Sequence, residues 1–246
     1  MDELQRAIGD LVIANRILAK EDVLDAYGHV SIRHPQKPDR YLLSRSLSPE
    51  LVTRDDIIEF TLDGKPINDD RPPYLERFIH GAIYEARPDV NAVVHSHAED
   101  VLPFSISKTP LCCVAHVASD MGPHVPVWDI DEKFGDETNL LVINMAQGRD
   151  MAQALAGNAV VLMRGHGFSA AADGLLKLVR LSVYLPRNAR ILLAAMRMGE
   201  FKALSEGELR TRNQFRADSP AMQRGWEYWA KRAGCGDMLA TSKGGV

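Results

Sequence analysis

The stretch AVVHSHAEDVLPFS, residues 92–105, places two histidines one residue apart behind an apolar run. In an extended strand successive side chains point to opposite faces, so His95 and His97 share one face, about 7 Å apart along the chain, while Ser96 takes the other. That spacing lets both imidazoles converge on one metal ion. It also describes two polar residues that end a buried strand. In a chain with eight histidines, a His-x-His pair arises by chance in roughly a quarter of cases.

Upstream of this stretch, GHVSIRHP (28–35), RYLLSRS (40–46) and DIIEFTLDG (56–64) are short β-prone runs separated by Pro, Asp and Gly, the pattern of an antiparallel meander. Leu75, Phe78, Ile79, Ala82 and Ile83 then fall at helical spacing until Arg87-Pro88 stops the helix. Downstream, NLLVIN (139–144) and AVVLMRGHG (159–167) are predicted strands flanking a helix from Gln147 to Ala156. A long final helix starts near Asp173, its expected N-cap, and passes Pro186, where a kink is expected. At the other end Leu4, Ala7, Ile8, Leu11, Val12, Asn15 and Leu18 lay an apolar stripe along an opening helix. Strands and helices mixed in one unit, with no repeat and no linker before a polar stretch near Glu206 to Ser219, predict a single α/β domain spanning 1–246. Its C-terminal extension starts at about residue 206.

Composition narrows the function. Of 246 residues 46% are hydrophobic, ample for a sizeable core, and 29 basic against 33 acidic residues give a net charge of −4. With no Lys/Arg run to track phosphates, nucleic acid and anionic membrane are excluded as expected partners, which leaves a small molecule. Cys112, Cys113 and Cys235 are an odd number with two adjacent, so no disulfide framework is visible and a reducing cytoplasm fits. The charged opening segment has no apolar leader core, and no stretch reaches the length of a membrane span.

Two further residues join the histidine pair. His166 follows AVVLM between Gly165 and Gly167, which allow close approach of backbone and ligand; an exposed histidine in a tight turn would look the same. Three imidazoles at strand ends make a site with an open position, suited to metal-assisted catalysis. Glu76 opens the helix that leads into the His-x-His strand, with His80 one turn behind it on the same side; a solvated glutamate is equally at home at a helix N-terminus.

The order GHVSIR, a helix carrying Glu76, VVHSHAEDV, then LMRGHG before a long helix resembles the class II aldolase/adducin family over roughly residues 3 to 205. The resemblance implies a class II aldolase-like fold: a mostly antiparallel nine-stranded sheet layered with helices, assembled as a fourfold homotetramer with active sites at subunit interfaces. It matches His95, His97 and His166 to three ligands of one divalent ion per subunit (zinc, manganese, cobalt or iron), with no organic cofactor. Glu76 matches the acid/base carboxylate, a position that in related members can itself bind the metal.

Departures from the sugar-phosphate aldolases are informative. Their phosphate is held by a GN-x-S loop, a Thr/Gly-rich loop and paired serines before the catalytic acid, where this chain has GHVS (28–31), SRSLSP (44–49) and Tyr74-Leu75-Glu76. Exchanging small donors for His29, Arg45, Tyr74 and Leu75 replaces a phosphate cradle with a pocket that has an apolar wall and a carboxylate-binding cation. The motifs GHVSIRHP, SRSLSPELV, LERFIHGAIYEARPDV and LMRGHG are similar instead to the family's aromatic-acid decarboxylases, which act on dihydroxyphthalate-like or hydroxypyridine-dicarboxylate substrates. That branch also tends to carry a histidine where His116 stands. Arg45 and Arg164 lie near motif positions suited to a second carboxylate. Tyr184 is the long helix's candidate for substrate contact, although the family's common Glu after the helix tyrosine is replaced at Tyr184-Leu185-Pro186.

The expected activity is therefore metal-dependent carbon–carbon cleavage, foremost non-oxidative decarboxylation of a hydroxylated aromatic dicarboxylate. Glu76 is the first candidate for the proton donor, and His116 or His29 the second. An aldolase acting on an unphosphorylated hydroxy-keto acid, a non-haem iron oxygenase and a non-catalytic scaffold of the adducin kind are the alternatives. The aromatic group Trp226-Glu227-Tyr228-Trp229 is a candidate for closing a neighbour's pocket, or for ordinary packing.

Overall fold

The computed structural model describes residues 2–213 and 219–242; the remainder of the expected C-terminal extension lies outside the described residues. Helix α1 (Glu3–Lys20) forms where the apolar stripe places it and buries Leu11, Val12, Asn15 and Leu18. Three strands follow, β1 (His29–Arg33), β2 (Arg40–Ser44) and β3 (Ile57–Thr61). They lead into helix α2 (Arg77–Ala86) and strand β4 (Ala92–Ser96). Short elements α3 (Leu102–Ser105), β5 (Val127–Trp128) and α4 (Asp131–Phe134) precede helix α5 (Met145–Leu155). Strands β6 (Val160–Met163) and β7 (Gly167–Ala172) then feed the long helix α6 (Leu175–Met198), followed by α7 (Glu206–Arg212), α8 (Pro220–Arg232) and α9 (Gly236–Ser242).

Among the described residues the sheet has seven strands, not nine, in the order β3-β2-β1-β4-β7-β6-β5, antiparallel except for the β5–β6 pair. NLLVIN is not one of them. Three of its amides are taken locally: Thr138 Oγ1 accepts from Leu140 N–H at 3.0 Å, Asn139 Oδ1 from Leu141 N–H at 3.1 Å, and Gln147 Oε1 from Ile143 N–H at 2.8 Å. Side chains of this kind compete with a strand ladder for the backbone, and Leu140 adopts a left-handed φ of 64° that no strand allows. The long helix also differs in detail. Gly174, not Asp173, occupies the N-cap, the Asp173 carboxylate pairs with Lys177 at 3.1 Å, and the helix continues through the buried Pro186.

The sheet separates two cores. Val30, Ile32, Val94, Leu162 and Phe168 face α1, α6 and α8, whose Leu18, Leu181 and Trp229 complete that side. The alternate residues, Tyr41, Phe60, Val93, Val161 and Ala171, face α2 and α5 with Ile79, Ile83, Met151 and Leu155. Each such aliphatic or aromatic side chain contributes roughly 1.5–3 kcal/mol by leaving water. Helices α2 and α5 cross closely at Gly148, where a Cβ would stand 2.6 Å from the Phe78 carbonyl oxygen. By the same alternation, His29, Ser31 and His95 emerge on the α2 side, at the end where Glu76 starts its helix.

Candidate active site

His95 sits in the centre of the sheet, in register with His29 of β1 and Ser169 of β7. His97 follows two residues on, past the strand end, and the same-face spacing brings their Nε2 atoms to 3.1 Å. His166 enters from the turn between β6 and β7, its Nε2 3.2 Å from that of His97. The turn depends on its glycines: Gly165 has φ of 65°, and a Cβ on Gly167 would stand 2.0 Å from the Ser96 carbonyl oxygen. Only glycine lets the two chains approach this closely.

Glu76, the N-cap of α2, completes the group. Its Oε1 accepts the Val142 N–H at 2.9 Å, and its Oε2 lies 3.4 Å from His95 Nε2 and 3.5 Å from His166 Nε2. One ligand atom from each of Glu76, His95, His97 and His166 falls within 4.8 Å of the others.

The donor set fits a divalent ion. Nitrogens bound about 2.0–2.1 Å from one centre, at tetrahedral or octahedral angles, stand about 3–3.4 Å apart, the spacing seen here. Each imidazole also has an acceptor for its other nitrogen: Asp25 Oδ2 is 3.1 Å from His97 Nδ1, the Leu140 carbonyl 2.9 Å from His166 Nδ1, and Ser169 Oγ 3.4 Å from His95 Nδ1. Such partners place the proton on Nδ1 and leave the Nε2 lone pairs facing one another, an arrangement that a cation relieves. Burial, then the neighbouring histidines, lowers the His166 pKa to about 4 against the pull of Glu76, and burial likewise lowers that of His97. Both are therefore neutral and able to ligate near pH 7. For Glu76, burial is the largest influence and acts upward. His95, His166 and the Val142 amide together outweigh it and hold the carboxyl at about 2.

Residues 9–193 match the class II aldolase and adducin N-terminal domain. The chain belongs to that family. Its similarity to decarboxylase tropJ of Talaromyces stipitatus is 34% identity over 244 residues, covering 90% of this chain and 92% of that protein. The 3,4-dihydroxyphthalate decarboxylase of Arthrobacter keyseri is 28% identical over 180 residues, 66% of this chain and 67% of that one. Among solved structures, an aldolase II superfamily protein from Pseudomonas syringae superposes with a TM-score of 0.78 at 20% identity, over 95% of this chain and 94% of that one. Class II aldolase family membership together with decarboxylase relatives makes the chain a lyase.

Beside the four-residue group lies a cavity of about 240 Å³ whose wall includes Tyr27, His29, Ser46, Tyr74, Leu75 and Leu141. His29 and Tyr74 are thus brought to the site, their rings 4.5 Å apart. The expected cations are not. Arg45 is turned to Asp56 at 2.7 Å, and Arg164 pairs with Asp129 and, at 3.4 Å, with Asp131; neither lines this cavity. His116 opens a short 3₁₀ turn and lines a different cavity with Leu204, Ser205 and Glu208. Tyr184 packs edge-on against Trp229 at 5.8 Å, and Trp226 and Trp229 are themselves buried in the core.

Sequence reasoning missed three contributors. Asp25 was hidden in the DAYG turn, where its Oδ1 accepts the Tyr27 and Gly28 amides at 2.9 and 2.8 Å; an aspartate three residues before a glycine reads as an ordinary turn. Leu140 and Val142 act through the backbone and carry no side-chain signal.

Proposed function

We propose that the protein is a non-oxidative decarboxylase of a hydroxylated aromatic dicarboxylate, working as a cytoplasmic homotetramer. The observation that carries this reading is the character of the cavity beside the histidines. The part of its wall formed by His29, Tyr74 and Leu75 offers two rings and an aliphatic side chain, and among the described residues no Lys or Arg lines it. A phosphate dianion would lack the charged donors it needs there, whereas a substituted ring can stack on Tyr74 and Leu75. A volume of about 240 Å³ lies below the ~300 Å³ at which pockets for drug-sized ligands begin, which suits a single ring. The decarboxylase relatives support the same reading.

A divalent ion held by His95, His97 and His166, with Glu76 beside them, would supply the electron sink. Glu76, ionised at rest, is placed to take the proton of the ring hydroxyl next to the scissile carboxylate and to return it to the ring carbon that bears that carboxylate. That carbon becomes tetrahedral and the hydroxyl oxygen a carbonyl. The carbon–carbon bond then breaks, its electron pair passes through the ring to that oxygen, and carbon dioxide leaves with aromaticity restored.

Incubating metal-loaded protein with hydroxylated phthalates and pyridine dicarboxylates, and measuring carbon dioxide, tests the proposal. Release from at least one of these acids, with none from the unhydroxylated parent, is expected. Cleavage of fuculose or ribulose phosphate at ordinary enzymatic rates, with no carbon dioxide from the aromatic panel, would establish an aldolase instead.

A further inference from the structure

A line of buried polar side chains runs from the cavity into the core on the α2 side of the sheet. His29 Nδ1 is 2.6 Å from His80 Nε2, His80 Nδ1 is 2.6 Å from Ser31 Oγ, and Ser31 Oγ is 2.8 Å from the Tyr84 hydroxyl. All four residues are at most 2% exposed. These four polar side chains lie beside Tyr41, Ile83 and Val93 of the apolar core. Buried polar groups are as a rule hydrogen-bonded, because one left without a partner destabilises the fold.

Satisfaction fixes the direction of the chain. The Tyr84 hydroxyl has no acceptor other than Ser31 Oγ among the described residues, so it donates to Ser31. Ser31 then has one acceptor left for its own proton, His80 Nδ1. A neutral His80 with Nδ1 accepting carries its proton on Nε2 and gives it to His29 Nδ1. His29, accepting at Nδ1, must hold its own proton on Nε2. That atom bonds to no described residue and is not among the sealed, unpartnered atoms, and His29 lines the cavity with Glu76 and Tyr74. Run in the opposite direction, the chain would strand the Tyr84 proton in the core without an acceptor, which is unfavourable.

We infer that Tyr84, Ser31 and His80 lock His29 into the tautomer that presents an Nε2–H donor to the cavity, aimed at an anionic oxygen of the substrate. This rests on the aromatic-acid reading, in which a carboxylate that is not lost needs a donor and neither Arg45 nor Arg164 reaches the cavity. His80 and Ser31 are positioning residues. Were His29 in the other tautomer, a lone pair would face the carboxylate and repel it.

The test reads the tautomer apart from any reaction. In zinc-loaded protein labelled with 15N-histidine and without added ligand, the nitrogen shifts of His29 should report a protonated Nε2. His80→Gln, whose amide can still donate to His29, should retain that state. His80→Leu and, as a smaller perturbation of the core, Ser31→Ala should lose it in part or entirely. Phthalate, used as an unreactive probe, should bind His80→Leu and Ser31→Ala about 10-fold or more weakly than wild type, the scale of one hydrogen bond to a charged group. A wild-type His29 protonated on Nδ1, or a tautomer unchanged in both variants, overturns the chain. A changed tautomer with phthalate affinity unaltered overturns its aim at a carboxylate. Absence of carbon dioxide from the aromatic panel, with phthalate binding as expected, would instead refute the decarboxylase reading and leave the chain intact.

Discussion

Asp25 Oδ2 stands 3.1 Å from His97 Nδ1, and the same carboxylate accepts the Tyr27 and Gly28 amides through Oδ1. Burial pushes its carboxyl up, but those two amides and His97 together bring it below the usual carboxylate range. It therefore arrives as an anion already fixed by the turn, ready to orient one imidazole. Asp25→Ala should lower metal affinity about 10- to 100-fold, the effect typical of an outer partner to a ligating histidine. Metal-buffer titration measures this, and an affinity within twofold of wild type would show that His97 is oriented by the strand alone.

Metal content checks the ligand set itself. The nitrogen spacings of 3.1 and 3.2 Å match ligands about 2.0–2.1 Å from a shared ion, so purified protein should carry about one divalent ion per chain. The combined variant His95→Ala, His97→Ala, His166→Ala should carry almost none by elemental analysis. Equal content in the variant would place the ion elsewhere.

Loss of the ion should leave the fold standing. The two cores on either side of the sheet are closed by side chains such as Leu18, Phe168, Phe60 and Leu155, all fully buried without contribution from the four site residues. A small zinc domain lacks such a reserve. Far-ultraviolet circular dichroism after chelation should therefore keep its shape and a cooperative thermal transition. Unfolding of the metal-free protein would make the site structural.

How much of this could be read from sequence depended on the range of the interactions. Helix α1 is legible from its local apolar stripe, strands β1 to β4 from short β-prone or apolar runs bounded by turn residues, and the His95/His97 face from the two-residue spacing. The segment 139–144 is not, because its apolar letters read as a strand while Thr138, Asn139 and Gln147 divert its amides and Leu140 turns left-handed. That diversion places Val142 N–H on Glu76 and the Leu140 carbonyl on His166, so the misread strand is the loop that wraps the site. The pairing of Arg45 with Asp56 and of Arg164 with Asp129 is not legible either, since those partners lie 11 and 35 residues away, beyond any local pattern.

Asp10 on α1 offers a stability test far from the chemistry. Burial raises its carboxyl to about 6, against the opposing pull of Arg6 and Arg54. The folded chain thus holds this proton more tightly than the unfolded chain, whose carboxyl titrates near 4. Stability contributed at this position is present below about pH 4 and falls as pH rises towards 6. Asp10→Asn should raise the melting temperature at pH 7, and its advantage over wild type should shrink as pH is lowered from 6 to 4. An advantage that grew on acidification would reverse the sign and show Asp10 to be stabilised as an anion.

Glu76 decides the mechanism. Expecting a general acid at this position requires a raised pKa, and burial does act in that direction; the histidines opposite and the Val142 amide win, leaving the group at about 2. A resting carboxylate can donate only a proton it has first accepted, which is why the ring hydroxyl is the proposed source. Glu76→Gln keeps the shape and the capacity to accept from Val142 N–H through its amide oxygen, but cannot carry a proton from oxygen to carbon. Turnover should fall roughly 100-fold or more, the scale of a lost acid–base group, with substrate affinity nearly unchanged. Metal content measured on the same sample separates two origins of that fall. Retained metal leaves proton transfer as the lost step, while metal loss in proportion to activity would make Glu76 a fourth ligand and leave His29, the imidazole on the cavity wall outside the ligand set, as the next candidate to carry the proton. Carbon dioxide release at wild-type rates from Glu76→Gln would remove the carboxylate from the reaction altogether.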